Sequence, residues 1–184
     1  MSYGFKLSKD AIAQSIREGK LIIPRDKLGD IVGLLQFLSL WAICAFTLRN
    51  PSSDWNTRVI PAFIATGMLF FYAIYCLSRE RDLTKVTTNL SASANRKLLV
   101  SACERLGWRI IQNENNLVRA ALPRKWYGFV GQTATAFMQD EIIFLNVIHE
   151  AAARGRSPFA YGINDKKLHI LINTINGLLL GKSK

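Results

Sequence analysis

The sequence predicts an α+β protein with a membrane anchor: a two-helix transmembrane hairpin, then a cytoplasmic, mostly antiparallel sheet carrying two helices in the order β-α-β-β-β-β-α. Two long uncharged apolar runs before residue 80, and a basic segment after them whose apolar residues alternate or recur at helical spacing, carry this reading. Across 184 residues, 24 Lys+Arg stand against 13 Asp+Glu, a net charge of +11, yet mean hydropathy is +0.13. A disordered basic tail pairs such charge with low hydrophobicity, and a soluble nucleic-acid binder rarely carries 49% apolar residues beside it. Charge and apolarity are therefore segregated along the chain.

Residues 1–30 read as a cytoplasmic arm. Ser8 is placed to cap a short helix over Lys9 to Glu18, in which Ile12 and Ile16 are spaced i,i+4 and which Gly19 stops. Leu21 to Pro24 reads as an extended strip that packs on the bilayer or on the C-terminal domain.

Residues 31–78 read as the transmembrane hairpin. Ile31 to Leu48 gives 18 residues without a formal charge and Val59 to Ser78 gives 20 more. At 1.5 Å per residue these reach about 27 and 30 Å, near the roughly 30 Å of a hydrocarbon core. The link from Arg49 to Arg58 holds Pro51 and Ser52 for a turn and Trp55 for an interface. Pro61 falls in the first turn of the second run, where its missing N–H costs little. Gly33, Gln36 and Gly67 are the predicted packing positions, because small residues let helices approach and a buried amide bonds across them. No ionisable side chain lies inside either run, which argues against a transporter or pump.

Six basic residues precede the first run, two lie in the link and sixteen follow Ser78, which places both termini in the cytoplasm and the protein in the inner membrane as a multi-pass chain. A secretory signal is not expected, since the first run begins some 30 residues in and lacks an A-x-A site. Three cysteines without CxxC or CxxH spacing predict neither a disulfide framework nor a zinc site.

Residues 79–184 read as the cytoplasmic α+β domain, with roughly 100 residues from 84 to 181 expected to hold one small core unaided. Val86 to Leu90 alternates as a strand. Ser93 caps a helix over Ala94 to Leu106, with Gly107 at its left-handed end. Trp108 to Gln112 and Leu117 to Leu122 form one hairpin, and Gln132 to Met138 with Ile142 to Ile148 a second. A final helix over Asp165 to Leu180 starts from Asn164 as its cap.

Chemistry-bearing motifs are scarce. HExxH, paired CxxC, EF-hand, GxGxxG, GxxxxGK[ST] and GxSxG patterns are all missing, so no catalytic, cofactor or metal residues are assigned and no cofactor is expected. His169 has Asp165 on the same helical face, a surface pair, and His149 beside Glu150 introduces a loop.

Two basic, aromatic loops stand out as interaction residues: Arg119, Arg124, Lys125, Trp126 and Tyr127 in one, and Arg154, Arg156, Phe159 and Tyr161 in the other. Cations meet phosphate while rings stack or enter an interface, which suits anionic lipid headgroups. After Ser78 there are sixteen basic and eight acidic residues, a surplus of +8 facing a negative inner leaflet.

The expected function is thus a two-pass inner-membrane protein whose basic domain is a non-catalytic accessory module for a membrane complex or anionic lipid. Its expected partners are membrane lipids and a membrane protein or a second copy of itself. The alternatives are a membrane-anchored enzyme or ligand sensor using loops 119–131 and 149–162, and, more weakly, a membrane tether for nucleic acid.

Overall fold

Alternating apolar residues after position 83 build one five-stranded antiparallel sheet in the order β1-β5-β4-β3-β2: β1 Thr84–Thr87, β2 Arg109–Glu114, β3 Leu117–Ala121, β4 Gly131–Gln139 and β5 Ile142–Glu150. The computed structural model describes residues 7–22, 27–48, 53–123, 131–150 and 161–182, apart from some side chains within the helices and at Glu150. Five helices accompany the sheet: α1 Lys9–Glu18, α2 Lys27–Leu48, α3 Ser53–Arg79, α4 Ala92–Arg105 and α5 Tyr161–Lys182.

Strand alternation gives the sheet two different faces. On one, Val118, Ala120, Ala134, Ala136, Met138, Ile143, Leu145 and Val147 pack with Leu98, Leu99, Ala102 and Cys103 of α4 and with Leu168, Leu171 and Ile175 of α5. These two helices are the pair the sequence predicts. The α4 N-terminus is fixed by Ser91 Oγ, which accepts from Ala94 N at 3.4 Å, and by Asp140 Oδ1 from the β4–β5 turn, which accepts from Ala92 N at 2.8 Å. Buried Asn95 ties the same corner down, donating to Leu90 O at 3.2 Å and Gln139 O at 2.9 Å. Gly107 ends the α4 turn at φ 66°, where a Cβ would be strained.

On the other face, Leu117, Phe137 and Ile148 pack with Leu7 and Leu21 of the arm, and Ile12 and Ile16 of α1 join them. The arm therefore completes the core, and the segment from residue 84 onward does not supply both of its layers. Between these apolar patches runs a buried polar row, Arg119, Thr135 and Asn146, aligned across β3, β4 and β5.

The chain leaves the arm and rejoins the domain at one place. Leu21 N donates to Arg81 O at 2.8 Å, Leu83 N donates to Gly19 O at 2.8 Å, and Lys20 pairs with Asp82 as an isolated antiparallel bridge. The pair α2 and α3 is thus an excursion whose two ends are stitched together.

This excursion corrects the predicted anchor. Among the described residues one segment, Ile60–Arg79 in α3, is long and apolar enough to cross a membrane, and the two-helix transmembrane hairpin is replaced by a single candidate span. The uncharged run Ile31 to Leu48 lies at the short end of the spanning range. The helix that contains it also takes in Lys27 and Asp30, and its described residues do not make a full span. The helix α3 begins at Ser53, so residues read as link are helical and Pro61 lies in the helix interior. There it withholds one hydrogen bond from the preceding turn.

Two helical boundaries also move. The α4 cap is Ser91, not Ser93, and α5 starts at Tyr161, so Asn164 sits inside its first turn instead of capping it. The Asn164 amide is engaged sideways by the sheet, which frees it from the capping role.

Candidate functional site

Two features of this architecture face outward with functional potential. The first is the apolar surface of α2 and α3. Trp41 stacks on Phe63 at 5.3 Å and on Phe70 at 6.5 Å, so the two helices share one aromatic seam. A Cβ at Gly67 would lie 3.2 Å from Trp41 Nε1, tighter than ordinary van der Waals contact, so a larger residue there would press on the indole. Gly33 and Gln36 lie in α2 at positions whose surroundings fall outside the described residues. Away from the seam, Ile64 is 55% exposed, Met68 69% and Phe71 63%. A soluble monomer rarely leaves so many large apolar groups in water on one helix.

The second feature is the sheet end from which the β3–β4 and β5–α5 connections leave. Leu122 N donates to Gln132 O at 3.0 Å, Gly131 pairs with Glu150 and Gln132 with His149, so the bases of the two predicted basic loops are neighbours. Three polar side chains gather there. Gln132 Nε2 donates to Asn164 Oδ1 at 2.8 Å, and Asn164 lies against His149. Burial holds the His149 ring below its ordinary value, opposed by Asn164, so the imidazole is neutral at pH 7. Neither His149 Nδ1 nor Asn164 Nδ2 makes a hydrogen bond of good geometry.

The predicted interaction residues divide accordingly. Arg124, Lys125, Trp126, Tyr127, Arg154, Arg156 and Phe159 lie outside the described residues, and Tyr161 contributes its backbone to the first turn of α5. Arg119 is placed differently from the loop cations: it stands within β3 at 2% exposure, so its guanidinium belongs to the buried polar row. The period-2 pattern of β3 already put Arg119 beside Leu117 on one face, and that signal was available in the sequence. Nothing in the sequence marked Gln132 or Asn164 as partners, because they meet only through the fold.

Other polar groups are accounted for structurally. His169 lies 3.6 Å from Asp165 on the exposed side of α5. A groove of about 710 Å³ beside α4 is lined by Ser93, Arg96, Lys97 and Asn113, but Arg96 is occupied, donating to Asn113 at 2.7 Å and Asn115 at 3.2 Å. Among the described residues no three His, Cys, Asp or Glu side chains converge as a metal site would require.

None of the three cysteines is in a disulfide. Burial, with Glu104 adding to it, pushes the Cys103 thiol up to about 12. Since the thiolate is the reactive form, Cys103 in the native protein is expected to resist alkylation at about pH 8 and to react once urea opens the core. Peptide mapping after iodoacetamide checks this; equal labelling of native and unfolded chain at Cys103 would refute it.

No protein-family model matches this chain, and no curated protein matches it, so its function rests on the two features above.

Proposed function

We propose that the protein is a membrane-anchored, non-catalytic interaction module, held in the bilayer through the Ile60–Arg79 segment of α3 and presenting its basic α+β domain to an anionic lipid surface or a membrane partner. The observation that carries the reading is the exposure of Ile64, Met68 and Phe71 around a helix of spanning length. Burying such side chains in lipid recovers about 1.5–3 kcal/mol each. The domain's charge supports it, since sixteen basic residues follow Ser78 and each cation near an anionic leaflet contributes about 1 kcal/mol. Because 19–21 and 81–83 are hydrogen-bonded, the arm and the domain act as one body.

Fractionation of cells expressing the full chain tests the anchor. The protein is expected to stay with membranes through carbonate and ~1 M salt, conditions that screen surface charge to a Debye length of about 3 Å. Ile64→Glu with Phe71→Lys introduces two charges at about 2.5–3.5 kcal/mol each on insertion scales and is expected to shift it to the soluble or aggregated fraction. Release of the unaltered protein by salt alone would sink the reading.

A further inference from the structure

The sheet ends in two edge strands, β1 and β2. At the β1 edge the arm pairs with residues 81–83 as the chain enters the strand. Beyond β2 no further strand follows, so every second backbone N–H and C=O of β2 turns outward. A register shift between Ile110 and Gln112 interrupts its ladder. Such a bulge guards an edge against long indiscriminate pairing, and here it leaves 112–114 as the regular stretch.

Beside that stretch lies the groove of about 710 Å³, lined by Ser93, Arg96, Lys97 and Val100 of α4 and by Asn113 and Asn115 at the β2–β3 turn. Asn113 is paired with Val118, a member of the layer under α4, and so faces the helix side. Glu114 is paired with Leu117 and faces the side that the arm covers.

The groove is basic and lacks counter-charge. The described residues that line it include no Asp or Glu, and neither Arg96 nor Lys97 pairs with a carboxylate among the described residues. Arg96 Nε donates to Asn113 Oδ1 at 2.7 Å, and its Nη1 to Asn115 Oδ1 at 3.2 Å. Both acceptors are neutral amides, so these bonds orient the guanidinium without cancelling its charge and leave Nη2 to donate elsewhere. Asp140, the acid at the start of α4, is already bonded to Ala92 N.

We propose that the β2 edge and this groove dock an extended acidic segment of a partner protein, which adds to the sheet at 112–114 and places its carboxylates on Arg96 and Lys97. Backbone bonds at a sheet edge give affinity whatever the sequence, while alternate side chains facing one way give selectivity. The helix-facing positions of the added strand meet two cations, which selects Glu or Asp at every second residue. The inference rests on the interaction-module reading, to which it gives a partner, but the groove belongs to the domain and its binding does not require the span.

The test adds the full chain in neutral detergent to a fluorescein-labelled, end-capped peptide of alternating Glu and Thr and follows anisotropy. Saturable binding is expected, weakened about tenfold or more by Arg96→Gln combined with Lys97→Gln. Lys97→Glu, at an exposed position that the fold should bear, is the second variant and should also weaken it. Two N-methylated peptides, one blocked at the Glu amides and one at the Thr amides, separate strand addition from charge attraction. Only one set of amides can face β2, so one version should lose binding and the other keep it. A flat titration, undiminished binding by both methylated peptides, or equal binding by the folded double variant would overturn the proposal. Displacement of the peptide by a lower concentration of oligothymidylate would overturn it too, by assigning the groove to nucleic acid. A positive titration would stand even if salt released the chain from membranes, and a failed one would leave the anchor untouched.

Discussion

A chain cut to residues 83–184 is expected to lose cooperative folding, although it retains every strand and both helices of the larger core layer. The cut strips Leu7, Ile12, Ile16 and Leu21 from Leu117, Phe137 and Ile148. Leu21 alone, 1% exposed, should cost about 2–5 kcal/mol as Leu21→Ala. Four such residues together exceed what a domain with a total stability of about 5–15 kcal/mol tolerates. The cut also removes Ala73 and Cys76, both buried near the end of α3. The remedy follows from the stitch between 19–21 and 81–83. Residues 7–22 joined to 72–184 by a Gly/Ser linker of about ten residues, with a root-mean-square span of about 17 Å, should restore a soluble domain with a single thermal transition. Circular dichroism and sedimentation of the two chains decide the matter. A monomeric 83–184 fragment with a cooperative melt would show that the arm is dispensable.

The sequence was legible where a pattern is local. The i,i+4 spacing of Ile12 and Ile16 with Ser8 and Gly19 at its ends became α1, with Ala11 N donating to Ser8 Oγ at 3.1 Å. Both hairpins formed in the predicted order, since apolar alternation and a polar turn specify pairing of adjacent strands. What was not legible depends on contacts far apart in sequence. That α1 covers one sheet face, that Asp140 caps α4 across 48 residues and that Gln132 meets Asn164 across 32 are products of the fold. Two spans were expected where one candidate stands among the described residues. Arg119 shows a related failure: its charge and nearness to Arg124 drew it toward the loop, while its strand parity fixed it in the sheet.

Asn146→Leu should be among the most damaging single substitutions that leave the apolar layers intact. Asn146 is 3% exposed in β5, and its Nδ2 donates to Glu80 O at 3.0 Å and to Asp82 O at 2.9 Å. Those carbonyls lie just past the last turn of α3, where helix geometry leaves acceptors unpaired. Glu80 N donates to Cys76 O at 2.9 Å and Asp82 N to Arg79 O at 3.0 Å, so this turn passes directly into the strap that pairs with the arm. Leucine keeps the branching of asparagine, although it is larger, and donates to neither carbonyl. Each buried acceptor left unmade costs about 1–3 kcal/mol, and removal of the unpartnered Asn146 Oδ1 offsets part of that, for a net loss of about 2–4 kcal/mol. Asn146→Asp should be at least as harmful, because it turns a carboxylate toward two carbonyl oxygens. Hydrogen exchange separates a local joint from general destabilisation: the amides of Leu21 and Leu83, which close the stitch, should lose protection before those of β3 and β4. Asn173→Leu on the exposed side of α5 serves as the control and should lie within about 0.5 kcal/mol of the unaltered protein. A loss at Asn146 no larger than that control would mean that the sheet does not hold the end of α3 through this amide, and the stitch would then rest on its own two backbone hydrogen bonds and the Lys20–Asp82 contact at 3.9 Å.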